Sequence, residues 1–410
     1  MTTWIAAAFV GAVLLAISAE LIARWWIRRR TPYRVWPPGM RLEVRQHPDV
    51  FPEIEPRVRM NINSDGERGD EAPRDAGGTG GLFRILVAGG SAAECYALDQ
   101  QTSWPGALER LLNQEDPLRA LGARRVHVGN IARSGVSAPE LDLIFERVLP
   151  TYDRLDAVIV MVGASTVYHW LEEGAPERPP AVVPEASLFA YHPAQRFSWN
   201  PRASAVAELV RRLRQSWLKP VEVKENVGAW LVSGRKMRAQ AKELRTSAPD
   251  PTALLDDFEL HFRRALRRAM LCARRVVVVR QPWFEKDYTP EESGRFWHGG
   301  IGKPWKEKVT VYFSFDVINR LLRQVEERVV AVADELGLEH VNLRPVLNQG
   351  LRHYFDHDHF TPTGAAVAAE TIAGVLTGSA QNQHTSETEN AVVASSRRVT
   401  LPRIPLAARG

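Results

Sequence analysis

The run Ala157–Gly163, AVIVMVG, carries no charged or hydrogen-bonding side chain at any position. A strand points successive residues to opposite faces, so a run with no polar alternation must be covered on both sides. That requirement calls for a sheet sandwiched between two layers. RVVVVRQP (275–282) is a second run of this kind, and RILVAG (84–89), RVHVGNIA (125–132) and EHVNLRPV (339–346) are shorter β-rich segments. Helical spacing separates them at 103–114, 138–149, about 310–336 and 363–376. Strands alternating with helices through tight loops predict a three-layer α/β domain with a parallel sheet. At 410 residues the chain is long enough for one large or two ordinary domains with a buried core.

The expected organisation has four parts. Residues 1–30 are an apolar segment with a basic flank, and 31–82 an extended, proline-punctuated arm lying on the domain, ending in a turn and flexible loop at 61–81. Residues 83–378 are the α/β domain, with a mostly helical insertion at about 201–272. Residues 379–410, rich in Ser, Thr, Asn and Gln and then basic, form a disordered tail.

Trp4–Ala19 is uncharged and apolar, and apolar character continues past Glu20 to Ile27, broken by Arg24. About 20 helical residues cross a hydrocarbon core. Trp25 and Trp26 beside Arg28, Arg29 and Arg30 resemble an interfacial belt with charged anchors. The alternative is a cleaved signal peptide, but no basic segment precedes the apolar core. The expectation is a retained single-pass anchor with the lipid bilayer as partner. The arginine flank leans the main domain toward the cytoplasmic side.

The net charge of +5 is matched in number by Arg24, Arg28, Arg29, Arg30 and Arg34, so the rest is nearly neutral and nucleic-acid binding is not indicated. Two cysteines exclude a disulfide scaffold and lack zinc-site spacing. The 201–272 segment is rich in arginine and lysine, including Arg211, Arg212, Arg214, Arg263, Arg264 and Arg268. This is either a solvated helical face or a surface for lipid headgroups or an acidic glycan.

In an open parallel sheet, ligands bind beyond the carboxyl ends of the strands. The first strand is followed by Gly89-Gly90-Ser91, an exposed hydroxyl on a tight glycine turn, suited to a nucleophile. The second leads to Gly135, which can present a bare backbone N–H, and the third to Gly163-Ala164-Ser165-Thr166. The fifth leads to Asp356-His357-Asp358-His359, just before the last helix.

With these blocks in this order, the chain resembles the SGNH, or GDSL-like, hydrolase family over about residues 83–377. GGSAAECYALDQQTSWP (89–105) and DHDHFTPTG (356–364) carry the resemblance most specifically. NINSDGERG (61–69) and RQPWFEKDYTPEE (280–292) look like a membrane-anchored bacterial subgroup. The resemblance implies a flavodoxin-like α/β/α fold and ester or acyl-group chemistry without metal or organic cofactor. It implies Ser91 as nucleophile, His359 as general base and Asp356 as the residue that orients the imidazole. Asp358 competes for that last role, and the family's three-residue spacing favours Asp356. The oxyanion hole would be the backbone N–H groups of Ser91 and Gly135, with Ser165 at the position of the family's third-block asparagine. Gly90 stands where the family's first-block aspartate would be.

The expected substrate is an acyl ester, with O-acetyl groups on a cell-envelope or exported glycan as first choice. Acyl transfer to a sugar hydroxyl by the same triad is a second reading. A non-catalytic glycan-binding or assembly subunit is a third, for which Ser165 speaks and the intact Ser91, Asp356 and His359 speak against. His353, His357 and His359 with two aspartates also fit a metal cluster by residue type, but no second ligand group is evident near the other strand ends, so no metal is expected. Cys95 is expected to pack. Tyr168, His169, Trp283, Trp297 and His298 follow strand ends and either line a pocket or anchor loops.

Overall fold

The computed structural model describes residues 2–47, 49–50, 52–73, 81–179, 185–347 and 349–378. The chain opens with helix α1 (Thr2–Arg30) and strands β1 (Arg41–Gln46) and β2 (Arg57–Asn61). It continues through β3 (Leu82–Gly89), the one-turn α2 (Ser91–Glu94), α3 (Trp104–Leu112), α4 (Glu115–Leu121) and β4 (Arg125–Asn130). Next come α5 (Ala138–Val148), β5 (Leu155–Met161) and α6 (Ala164–Glu172). A less regular stretch holds α7 (Glu185–Leu188), α8 (Ala205–Leu218), β6 (Val221–Val227), α9 (Ala229–Ala239) and β7 (Glu243–Arg245). Alternation resumes with α10 (Thr252–Cys272), β8 (Ala273–Arg280), α11 (Pro290–Ser293) and β9 (Val311–Phe313). The last elements are α12 (Phe315–Glu335), β10 (Glu339–Asn342) and α13 (Pro362–Thr377).

Five strands form the central sheet in the order β10-β8-β5-β3-β4, every neighbouring pair parallel. The apolar run lies at its centre: Ala157 through Met161 are fully buried. Val158 and Val160 pack under α5, α6, α10 and α12, whereas Ala157, Ile159 and Met161 pack under α3 and α13. The three layers follow directly from that two-sided burial.

The strand order also locates the site. From β3 the chain steps outward to β4, then crosses back to β5 on the other side. Such a reversal opens a crevice at the carboxyl ends of the two strands. Glycine is required there, because a Cβ on Gly89, at φ +148°, would lie 1.8 Å from the Met161 carbonyl oxygen.

Three expectations need correction. The segment 201–272 is not simply a helical insertion: it contains β6 and β7, and α10 belongs to the main layer, with Phe258, Phe262 and Leu266 buried. The arm at 31–60 is not merely extended. β1 pairs antiparallel with β2 and parallel with β6, and Leu42, Val44, Val58 and Met60 share a small core. The helix placed at 310–336 starts at Phe315, after β9, which pairs with β7. The loop expected through residue 81 falls largely on residues 74–80, and the tail on 379–410, both outside the described residues.

The NINSDGERG segment is a buried clamp. Asn63 Oδ1 accepts the amides of Asp65 and Glu67, closing a tight turn. Glu67 is fully buried and bonded to His127 Nε2 at 3.0 Å, the Tyr152 hydroxyl at 2.7 Å and Arg84 at 3.0 Å. Arg68 donates to the carbonyl oxygens of Glu94, Cys95 and Leu98, fastening the small sheet to the loop after Ser91.

Much of the arginine-rich surface is engaged within the protein. Arg268 pairs with Asp142 and Glu146, Arg263 with Glu259 and Glu335, and Arg211 and Arg212 with Glu208. These pairs favour the solvated-face reading for the residues concerned.

Candidate active site

Ser91 is the first residue of α2, directly beyond the Gly89-Gly90 turn. His359 and Asp356 come from the loop between β10 and α13, at the same edge of the sheet. His359 Nε2 lies 2.7 Å from Ser91 Oγ, and its Nδ1 lies 2.9 Å from both carboxylate oxygens of Asp356. With the proton on Nδ1 donated to Asp356, Nε2 is free to accept from the serine hydroxyl; these partners assign the tautomer.

Asp356 is held by its own loop. Its Oδ1 accepts the amides of Asp358 at 3.1 Å and His359 at 3.0 Å, and its Oδ2 accepts Trp297 Nε1 at 3.3 Å. Burial opposes its charge, but His359 and these donors keep the carboxyl well below the usual range. Burial likewise opposes a charge on His359, and Asp356 with Asp358 overcomes it, raising the imidazole to about 10. Asp358 is the more distant partner, its Oδ1 3.5 Å from His359 Nδ1. Burial pushes Asp358 up to about 6; Gln281 donates to its Oδ2, and its Oδ1 has no hydrogen-bond partner among the described residues. His357 points elsewhere, pairing with Tyr168 and Asn319 at 2.9 Å each, and burial drives it down to about 3.

Ser165 sits in the first turn of α6, immediately past β5, across the crevice from Ser91. A Cβ built on Gly90 would lie 3.4 Å from its hydroxyl. Gly135, at φ +79°, lies in the loop after β4, and a Cβ there would meet His169 Nε2 at 3.5 Å. The neighbouring Ser134 is pinned by the buried Glu94, which accepts from both its amide and its hydroxyl. Ser91, Gly135, Ser165, Asp356 and His359 all line one cavity of about 570 Å³.

Of the weaker sequence candidates, Tyr168, His169, Trp297 and His298 line this cavity. Trp283 is buried with Arg344 over its ring, 4.2 Å from the centroid, and does not line the cavity; neither does His353. Cys95 is buried at the cavity wall, its thiol pushed up to about 12 by burial. The expectation that no second ligand group lies near the other strand ends is corrected. His298 approaches within 3.9 Å of Asp358, and one donor atom from each of His298, Asp356, Asp358 and His359 lies within 4.8 Å of the others. Sequence reasoning overlooked Gln46, Glu172, Trp230 and Trp305 in the cavity wall. Gln46 belongs to β1, more than forty residues before Ser91, and no local pattern links the two.

No protein-family model matches the chain, and no curated protein matches it. Among solved structures, it is similar to a catalytic mutant of Axe2, an acetylxylan esterase from Geobacillus stearothermophilus. The identity is 12%, the match covers 73% of this chain and 95% of that one, and the TM-score is 0.40. Another structure of the same esterase matches at 13% identity, with 73% and 95% covered and a TM-score of 0.39. A protein described as lipolytic and of the G-D-S-L family, from Desulfitobacterium hafniense, matches at 11% identity, with 72% and 99% covered and a TM-score of 0.37.

Proposed function

We propose that this chain is a membrane-anchored serine esterase of the SGNH type, removing acyl groups, O-acetyl on a cell-envelope glycan foremost, from an alcohol. The observation that carries the reading is the unbroken relay from Ser91 Oγ through His359 to Asp356, at 2.7 and 2.9 Å, on a cavity wall at the sheet's switch point.

Ser91 Oγ attacks the acyl carbon while His359 Nε2 takes the hydroxyl proton. Asp356 stabilises the imidazolium and holds the ring in orientation. The negative charge that develops on the carbonyl oxygen is met by the amides of Ser91 and Gly135, with the Ser165 hydroxyl as third donor. As the intermediate collapses, the alcohol leaves with the proton from His359. Water then attacks the acyl-serine, gives its proton to His359, and releases the acid and free Ser91. The cavity opens to solvent, which supports water over a sugar hydroxyl as acceptor.

The test is labelling of the detergent-solubilised full chain by a fluorophosphonate probe, together with turnover of p-nitrophenyl acetate. Both are expected in the wild type and absent in Ser91→Ala and His359→Ala. A folded wild type that neither labels nor turns over would overturn the reading.

For the anchor, α1 offers an outward apolar surface over Trp4–Ala19, with Phe9 69% and Leu15 73% exposed. Its later half is docked on the domain: Glu20 accepts the amides of Ala205 and Val206, and Ala23 and Ile27 pack with Ala205. A cleaved signal would strip those contacts away, which favours a retained single-pass helix. The arginine flank leans the main domain toward the cytoplasm, where the glycan it meets is a precursor and not the finished envelope polymer. A reporter joined to the C-terminus checks the side.

A further inference from the structure

The two backbone amides assigned to the oxyanion, those of Ser91 and Gly135, donate to no acceptor among the described residues, and both residues line the cavity. The Ser91 amide opens α2, so the Gly89-Gly90 turn sets its direction. The Gly135 amide belongs to a loop and needs a constraint of its own.

That loop is a β-turn. The Val136 amide donates to the Arg133 carbonyl at 3.2 Å, with Ser134 and Gly135 at the two central positions. Gly135 has φ +79°, and φ at Ser134 is negative. The combination defines a type II turn, whose third residue is glycine because its φ is positive. Types I and II differ by a rotation of the central peptide, here Ser134–Gly135, through roughly half a turn. That peptide carries the Gly135 N–H, so a change of turn type would swing the donor to the opposite side.

Glu94 holds the turn at its second residue. Its Oε2 accepts both the amide and the hydroxyl of Ser134, the latter at 2.5 Å. Glu94 is buried and closes α2, three residues after Ser91, so one carboxylate joins the nucleophile's helix to the turn. The helix is itself fixed. Trp104 Nε1 donates to the Ala92 carbonyl, Asn130 Nδ2 to that of Ala93, and Arg68 to those of Glu94 and Cys95. The turn is therefore what Glu94 restrains. Burial pushes the Glu94 carboxyl above its ordinary range, against the Ser134 bonds and the charges of Arg68 and Arg133. A buried carboxylate is a poor source of stability. Its presence here answers a need for strong, directed acceptance, which charge-assisted bonds supply.

We propose that Glu94 is a positioning residue for the oxyanion hole, holding the Ser134–Gly135 peptide in the type II turn that aims the Gly135 N–H at the reacting carbonyl oxygen. The proposal rests on the esterase reading. Its test measures kcat and KM for p-nitrophenyl acetate, and Ki for methylboronic acid, on the detergent-solubilised full chain. In the boronate adduct Ser91 Oγ bonds to boron, its proton passes to His359, and a boron-bound oxygen takes the oxyanion's place.

Glu94→Met keeps the volume and removes the acceptor. Its kcat is expected to fall about 10²-fold, the loss typical of one oxyanion donor, with KM nearly unchanged and Ki rising in step. Glu94→Gln leaves an oxygen facing Ser134 and is expected to stay within about tenfold of wild type. Adding Ser134→Pro to Glu94→Met removes the amide left unpaired and supplies a ring that favours this turn position. That double variant is expected to recover kcat at least about tenfold.

Unchanged kcat in Glu94→Met, or a loss confined to KM with Ki unmoved, overturns the proposal. A folded double variant that recovers nothing also overturns it, because Glu94 would then act other than through the turn. Should Glu94→Met not fold, the double variant is compared with wild type directly, and a loss beyond about 10²-fold overturns the assignment. A wild type with neither turnover nor boronate binding sinks the esterase reading and this assignment together. Turnover that is indifferent to Glu94→Met sinks this assignment alone.

Discussion

Ser165 stands across the crevice from Ser91, where an amide-bearing side chain would reach further toward a developing oxyanion. Gly90, lacking a Cβ, leaves room beside its hydroxyl. Ser165→Asn is therefore expected to raise kcat for p-nitrophenyl acetate, by up to about 10²-fold if a donor of full strength is gained. An unchanged or lower kcat in a folded variant counts against this. His359 provides a second test at this scale. Two carboxylates raise its basicity, so reaction requires deprotonation of a strongly basic imidazole, and phosphonylation should accelerate as pH rises through neutrality. Removing one negative neighbour lowers that pKa, so Asp358→Asn should move the midpoint to lower pH. A midpoint that stays in place, measured by fluorophosphonate inactivation rate against pH, would show that Asp358 does not act on His359. Ser91, Asp356 and His359 were legible as candidates because they sit in short local blocks. The choice between Asp356 and Asp358 came from spacing and family likeness, and only the 2.9 against 3.5 Å approaches to Nδ1 give it a geometric basis.

At the scale of elements, the 61–69 clamp joins the small sheet to the main one through a single buried carboxylate. Burial disfavours the Glu67 charge, but His127, Arg84 and Asn63 outweigh that and lower it to about 2. A carboxyl depressed on folding adds stability above its ordinary pKa, and that stability is lost as pH falls from about 4.5 toward about 2. Glu67→Gln should therefore lower the Tm at neutral pH and flatten the fall in Tm across the acid range. Equal slopes for wild type and variant would exclude this role. Of the five sheet strands, β5 and β8 were legible as continuous apolar runs, and β3, β4 and β10 as shorter β-rich segments alternating with helical spacing. The small sheet was missed although RLEVRQ and RVRMN alternate apolar and polar residues with period two. Prolines between them masked the pattern, and β6, which pairs with β1, begins at Val221, far along the chain.

For the whole molecule, the two halves of α1 differ in what they touch. Its first half is outwardly apolar; its second half docks on α8 through Glu20, Ala23 and Ile27, with Arg212 reaching Thr31 at 2.8 Å. Removing residues 1–17 should therefore yield a folded protein that no longer sediments with membranes. Removing 1–31 should also lower the Tm, because the Ala205 and Val206 amides at the start of α8 lose their Glu20 acceptor, hydrogen bonds worth about 1 kcal/mol each. Identical melting of the two truncated chains would show that the docking contributes nothing to stability. The sequence alone determined the layered architecture and the apolar helix, and it named Ser91, Asp356 and His359 as candidates for the relay. These are written in local periodicity and short spacings, which survive without knowledge of the fold. Tertiary structure decided what surrounds that relay: Gln46 from β1, Glu172 from α6, Trp230 from α9 and Trp305 from a later loop share one cavity wall. Packing and chain crossover bring such distant segments together, and a binding wall assembled that way leaves no periodic trace along the chain.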